Sequence, residues 1–415
     1  MSVKRSPMRR FAAIACLTTG FATVVGVPVA VAAPNVSAPA AILVEPATGD
    51  IVFQRNATER RPIASTTKMM TALVALENAD LDKVVTTVPY NGLAVESTGG
   101  FRGGERVTIR TLLQAMLVAS ANDAANTLAV RIGGSQKKFV AMMNARARAA
   151  GLTDTHFANP IGLDAPGNYS SATDLVKIAL LLRRDPFIKR TVDSRSVTVR
   201  SGGRTRTLRT RNLLLNRVPY INGVKTGHTL GSGWVLVSSA KRDGVTLVSA
   251  VLGAGSEAAR MNDTMELMRY GLGLYATAQA VTANKVYARV KLRGRDEQVD
   301  LIAGDGLSRT VRRGYGFTLR PVVPAELDGP LAARSKVGVL NVLYRGRVVG
   351  SVPLLVSAAV TAAPVSTGPS ALVILLLILA SVLLASCTLM IILGRRRAVR
   401  RRQRVASADS EARTA

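Results

Sequence analysis

The chain has 415 residues, with 55 lysines and arginines against 26 aspartates and glutamates, a formal charge of +29 and a pI of about 11.3. A hydrophobic content of 48% with ordinary glycine and proline excludes a disordered tail protein or a collagen-like repeat and allows two domains. Cys16 and Cys387 both sit in membrane-type apolar stretches, and His156 and His228 are the only histidines. A disulfide scaffold, a cysteine nucleophile and a Cys-ligated zinc site are therefore excluded, and no metal site or cofactor is expected.

Residues 1–32 read as a secretory signal peptide. Lys4, Arg5, Arg9 and Arg10 precede an apolar run from Phe11 to Val31, and small residues at Ala30, Ala32 and Ala33 offer a cleavage site after Ala32. An uncleaved signal anchor is the alternative. The strand-like runs 41–45 and 51–55 flank the turn composition Pro46-Ala-Thr-Gly-Asp50, which predicts a hairpin. Helical patterns follow over 65–77, 108–118, 123–132, 136–150 (ended by Gly151) and 172–184. Alternation returns in hairpins at 196–200 with 205–209 and at 233–240 with 245–252, and a last helix is expected over 257–275. Strands at both ends with helices between them predict an α+β domain, a sheet covered by a helical cluster, over 38–277.

Short alternating segments at 286–292, 317–323, 337–344 and 347–356 predict a small all-β domain over 281–358 with a spacer or docking role. A Pro/Ser/Thr-rich linker occupies 359–370. Residues 371–393 carry no charge, and at 1.5 Å per residue they span roughly 34 Å, enough to cross a bilayer as a transmembrane helix. The basic tail 394–415 begins with Arg395, Arg396 and Arg397, and such a cluster marks the cytoplasmic side. The expected arrangement is a single-pass cell-membrane protein with its folded part extracytoplasmic and its tail cytoplasmic. Nucleic-acid binding by the arginine run is the rival, but its place against the span makes topology the better account, and no nucleic-acid partner is expected. A charge of +4 on the signal region and +6 after Gly394 leave +19 on the exported segment, which would be drawn to anionic wall polymers or lipid head groups.

Three short motifs occur in order. Ser65-Thr-Thr-Lys68 opens a helix, Ser120-Ala-Asn122 lies between two helices, and Lys225-Thr226-Gly227 precedes the strand containing Trp234. S-x-x-K, S-x-N and K-T-G in this order are the set shared by serine β-lactamases and penicillin-binding proteins. A serine hydroxyl needs a base, and no His-Asp pair of triad type is evident. Lys68, three residues on along a helix, lies over the same face as Ser65 and serves if it is neutral. Burial and a second cation, Lys225, would lower its pKa. Ser65 at a helix start sits in the positive end of the dipole, where an oxyanion is stabilised. Ser120 can relay a proton to the leaving amine, Asn122 can hold a substrate amide, Lys225 and Thr226 can bind a carboxylate, and Gly227 permits close approach of the backbone. Each motif alone is weak. Ser135-Gln-Lys-Lys138 also fits the first pattern, but it follows Gly133-Gly134 and comes after the second motif, so it reads as a solvated helix start.

The chain resembles the serine D-alanyl-D-alanine carboxypeptidases, the low-molecular-mass penicillin-binding proteins of peptidase family S11. The likeness spans nearly the whole exported part, including the runs at 62–71, 118–124, 151–157, 162–167, 169–175 and 223–229. It implies a β-lactamase/transpeptidase-like catalytic domain in which Ser65 attacks the bond between the two D-alanines ending a peptidoglycan stem peptide. D-alanine leaves and water releases the acyl-enzyme, as expected of cell-wall maturation, and β-lactam antibiotics are expected as covalent inhibitors. The resemblance further implies oxyanion donors at the backbone N–H groups of Ser65 and His228, and a carboxylate-binding role for Arg211 in Thr210-Arg-Asn-Leu-Leu214. Asp174 and His156 match family positions, but a cap and a packing residue are their expected roles. Ala121 stands where many members have glycine, and a full membrane span replaces the amphipathic helix of some relatives.

A β-lactamase would need fast deacylation, and no glutamate occurs from Asp123 to Val224 to serve it in the class A manner. A D,D-endopeptidase acting on cross-links shares the motifs. A catalytically silent wall-binding protein would not need all three of them.

Overall fold

The structure, a computed structural model, describes residues 32–362 and 370–411. The expected signal peptide with Cys16 and most of the expected linker lie outside the described residues. Strands β1 (Ala40–Glu45) and β2 (Asp50–Arg55) form the first hairpin. A 3-10 turn (Ala64–Thr67) then leads into α1 (Lys68–Asn78). Paired β3 (Val84–Thr86) and β4 (Arg106–Thr108) bracket a long loop. The helical cluster follows as α2 (Ile109–Val118), α3 (Asn122–Gly133), α4 (Gln136–Ala149), α5 (Ala172–Leu182) and α6 (Pro186–Val192). Side-chain oxygens of Thr108, Ser135, Ser171 and Asp185 accept the free N–H groups at the starts of α2, α4, α5 and α6, which fixes where these helices begin. Ser135 therefore works as a cap, as its solvated position suggested.

After the hairpin β5 (Ser196–Ser201) and β6 (Arg204–Arg209) and a short helix α7 (Leu214–Arg217) come β7 (Ile221–Thr229), β8 (Gly233–Arg242), β9 (Val245–Ala254) and α8 (Glu257–Leu274). The central sheet is antiparallel in the order β2-β1-β9-β8-β7. Alternate residues of its inner strands face opposite sides. Val235, Val237, Val248 and Ala250 pack into the helical cluster, whereas Leu236, Leu247 and Val251 pack against Leu267 and Met268 of α8. Both faces are covered, so β8 and β9 read as nearly continuous apolar runs.

Beyond α8, β10 (Tyr275–Val281), β11 (Val286–Leu292), β12 (Gln298–Ala303), β13 (Leu307–Arg312), β14 (Thr318–Val322), β15 (Glu326–Leu327), β16 (Lys336–Tyr344) and β17 (Arg347–Val356) build the sheet-rich part. β10 pairs with β13, and the other six form one sheet around a separate core that includes Leu301, Leu340, Val342 and Leu354. Asp50 of the first hairpin ties the two parts together. Its carboxylate accepts from Tyr275 Oη at 2.8 Å and lies 3.3 Å from Arg345 Nη1. Finally α9 (Ala371–Glu411) continues through the arginine-rich tail, and its segment Ala371–Arg402 is long and apolar enough to cross a membrane.

The structure departs from the sequence expectations at several elements. Ser65 lies in the 3-10 turn, and the α-helix starts only at Lys68. Helix α6 and strands β7, β10, β12 and β13 add to the expected set.

Candidate active site

The 3-10 turn carrying Ser65 sits at the tip of the buried helix α1. Ala64 has φ +47°, in the left-handed region that a residue with a Cβ adopts only under constraint. Ser120, at the junction of α2 and α3, has φ +63°. These two strained residues flank or carry the hydroxyls of the first and second motifs, as expected where a site overdetermines its backbone. Two glycines enclose the Ser65 turn. A Cβ on Gly227 would lie 2.9 Å from Ile63 O and 3.0 Å from Ser65 N, so β7 can run this close only with glycine there. On the other side, Gly162 has φ +91°, and a Cβ there would lie 2.1 Å from Ala64 O.

Lys68 is fully buried. Its Nζ lies 2.8 Å from Ser65 Oγ and 2.5 Å from the carbonyl oxygen of Ile161. Burial, and after it the positive charge of Lys225, hold its pKa well below the usual lysine value, against the opposing pull of Glu96 and Asp123. Lys225 is also buried, and its Nζ lies 3.0 Å from Ser120 Oγ and 2.9 Å from Thr226 O. Burial, with Arg260 and Arg211 nearby, lowers its pKa to about 7. Two lysine–serine pairs thus face each other, one on the α1 turn and one spanning β7 and the α2–α3 junction.

A cavity of about 310 Å³ opens in front of them. Ser65, Ser120, Arg211, Thr226, Gly227 and His228 line it, with Val95, Ser97, Trp234, Glu257 and Arg260. Lys68 and Lys225 lie behind the two hydroxyls, while the exposed imidazole of His228 stacks on Trp234 with ring centroids 4.0 Å apart. Asn122 is buried beside the cavity and donates from Nδ2 to Glu96 Oε2 at 2.6 Å. The residues expected to act in catalysis or substrate binding are therefore at, beside or immediately behind one cleft. Asp174 and His156 lie elsewhere. Asp174 holds the N–H of Asp154 at 2.9 Å, and His156 Nδ1 lies 2.6 Å from Gly167 O, so both brace loops.

Three charged residues at or beside the cleft escaped the sequence reading, Arg260 with its partner Glu257 in the lining and Glu96 behind it against Asn122. Arg260 is buried with its guanidinium over the Trp234 ring, one ion pair to Glu257 at 2.8 Å, and an Nε without a partner among the described residues. In sequence, Glu257 and Arg260 form an ordinary i,i+3 helix pair, indistinguishable from a solvated one. Glu96 lies in a loop of no recognisable motif. All three add charge beside the expected carboxylate-binding and amide-binding groups.

The family model described as D-alanyl-D-alanine carboxypeptidase matches residues 27–256. The chain belongs to that family. D-alanyl-D-alanine carboxypeptidase DacC of Escherichia coli is 31% identical over 345 residues, covering 79% of this chain and 85% of the relative. Penicillin binding protein 5 from Haemophilus influenzae superposes with a TM-score of 0.59 at 27% identity, over 80% of this chain and 99% of the other. The Streptomyces K15 DD-transpeptidase superposes with a TM-score of 0.56 at 32% identity, over 59% of this chain and all of the other. As a family member this D-alanyl-D-alanine carboxypeptidase is a serine peptidase of the penicillin-binding class with the expected α+β fold.

Proposed function

We propose that this carboxypeptidase removes the terminal D-alanine of a peptidoglycan stem peptide through an acyl-enzyme on Ser65, with Lys68 as base. The observation that carries this reading is the 2.8 Å approach of a fully buried Lys68 Nζ to Ser65 Oγ. A neutral amine has two N–H groups and one lone pair. With one N–H given to Ile161 O, the lone pair can take the Ser65 proton as Oγ attacks the scissile carbonyl. The oxyanion would face the backbone N–H groups of Ser65 and His228. Ser120, paired with Lys225, lies where it can return a proton to the departing amine of D-alanine. Once the proton taken from Ser65 has passed on to the leaving amine, Lys68 is neutral again. Water then adds to the ester carbonyl and gives its proton to Lys68, which hands it to Ser65 Oγ as the ester C–O bond breaks and the shortened peptide departs as a carboxylate.

The substrate's terminal carboxylate is suited to Thr226, Arg211 and Arg260 along one side of the cleft, and its amide to Asn122. Gly227 keeps that side open. A β-lactam presents the same carbonyl and carboxylate and would acylate Ser65, leaving slowly. The helix Ala371–Arg402 would tether the enzyme with its tail in the cytoplasm and its catalytic part outside, where the +19 charge favours anionic wall polymers. No specific observation favours endopeptidase action or a silent wall-binding role.

The test is release of D-alanine from a diacyl-lysyl-D-Ala-D-Ala peptide by the purified full-length chain beside its Ser65→Ala variant. Release by the parent alone supports the reading. Release by both, or by neither in a folded sample, overturns it.

A further inference from the structure

Arginines gather where the catalytic part meets the sheet-rich part. Arg312 ends β13 and Arg313 follows it, and each lines a different cavity. The first, about 430 Å³, brings Arg312 together with Arg345 and Arg347 of the β16–β17 turn, against Gly49 and Asp50 of the first hairpin. The second, about 470 Å³, brings Arg313 together with Arg242 and Arg269, beside Tyr220 and the end of α8. Neither shares a lining residue with the catalytic cleft.

Charge is unbalanced in both. Asp50 is the one carboxylate lining the first cavity, and it already accepts from Tyr275 Oη, with Arg345 Nη1 at 3.3 Å. Asp243 is the one carboxylate lining the second, 3.5 Å from Arg242, while Glu266 pairs with Arg269 from outside the lining at 3.3 Å. Among the described residues no carboxylate pairs with Arg312, Arg313 or Arg347. Guanidinium groups crowded around a concavity repel one another, and an anion seated among them relieves that repulsion.

We propose that the two cavities bind phosphate groups along one chain of a flexible phosphodiester-linked polyanion, so that the sheet-rich part holds the enzyme on an anionic wall polymer. This deepens the extracytoplasmic, polycationic reading given above and rests on it. A planar carboxylate is satisfied by one guanidinium fork, whereas donors converging from several arginines suit the oxygens of a tetrahedral phosphate. Side chains alternate along β13, so Arg312 and Arg313 leave opposite faces of the β10–β13 ribbon. A flat bilayer surface cannot reach both cavities at once. A flexible chain can, by passing around the exposed ribbon end at Gly314-Tyr315-Gly316. Two weak sites engaged by one chain gain about 100-fold in affinity without any new contact.

The experiment titrates the full-length chain, held in phosphatidylcholine nanodiscs, into fluorescently labelled poly(glycerol phosphate) at several salt concentrations. Three double variants accompany it: Arg312→Gln with Arg347→Gln, Arg242→Gln with Arg269→Gln, and a control, Arg320→Gln with Arg334→Gln, which removes the same charge from residues lining neither cavity. All six lie outside the catalytic cleft, so D-alanine release from a small peptide and thermal unfolding should match the parent. Each cavity pair should weaken binding about 100-fold and lower the slope of log K against log salt by about 2, with the control pair binding like the parent. Glycerol phosphate monomer and polyglutamate of equal length should both bind more weakly than the polymer. No binding by the parent, an equal loss in the control pair, or equal affinity for the monomer or polyglutamate overturns the proposal. Slowed amide exchange at residues 312–316 in phosphatidylglycerol discs without polymer also overturns it, in favour of lipid head groups. Failure of the parent to release D-alanine would overturn the carboxypeptidase reading alone, because the binding titration does not depend on turnover.

Discussion

Substituting Gly162 by alanine tests whether the Ser65 turn is held in place from outside its own helix. Gly162 has φ +91°, and the added Cβ would lie 2.1 Å from Ala64 O, 2.6 Å from Ala64 C and 3.0 Å from Ser65 N. Ordinary contact begins above 3.4 Å, so the Ala64–Ser65 peptide must retreat by about 1 Å, and a 1 Å misplacement of a reacting group costs on the order of 100-fold in rate. The left-handed backbone adds a stability loss of about 1–2 kcal/mol, and the overlap adds about 1–3 kcal/mol. Gly151 provides the control, because it has φ +65° but nothing within 4 Å of its added Cβ. Gly151→Ala should lose about 1–2 kcal/mol of stability and acylate at the parent rate. Penicillin acylation rates and thermal unfolding of the two variants measure both quantities. Parent-like acylation by a folded Gly162→Ala protein, or an equal loss in Gly151→Ala, would refute steric placement of the turn by Gly162.

Lys68→Arg fixes a positive charge where the reaction needs a neutral amine and so removes the base; acylation should vanish, with a circular dichroism spectrum checking that the variant is folded. Lys225 has a folded pKa of about 7, below the lysine value of 10.5, so the unfolded chain binds the extra proton and stability should rise from pH 7 to 10.5. Lys225→Met should flatten that rise in denaturant melts across pH. Asp123→Ala frees the N–H groups of Gly99 and Phe101. It should lower stability by about 2–4 kcal/mol and speed amide exchange in the 97–101 loop, read by mass spectrometry.

The motifs were legible because catalysis demands particular residue types at helical and strand spacings that composition does not otherwise produce. Ser65 with Lys68, Ser120 with Asn122, and Lys225 with Thr226 meet at one cleft although 160 positions separate the first from the last. The hairpins and α2 to α5 were legible from alternation, helical period and caps. Strand β7 was less so, because the Asn222-Gly223 and Gly227 positions interrupt the apolar alternation that marks a strand. Helix α6 is short and begins at a proline that reads equally as a loop. Arg260 and Glu96 could not be read locally. Each owes its place to a neighbour far along the chain, Trp234 for the one and Asn122 for the other.

Trp234 is the chain's single tryptophan, and it stands in the cleft between the His228 ring and the Arg260 guanidinium. All indole emission from this protein therefore originates at one spot beside the candidate nucleophile. A cation against an indole face and a stacked imidazole are both sensitive to displacement, so occupation of the cleft should change the intensity or colour of that emission. The enzyme carries its own optical reporter, and substrate arrival, acylation and release can be followed in real time on the unlabelled molecule.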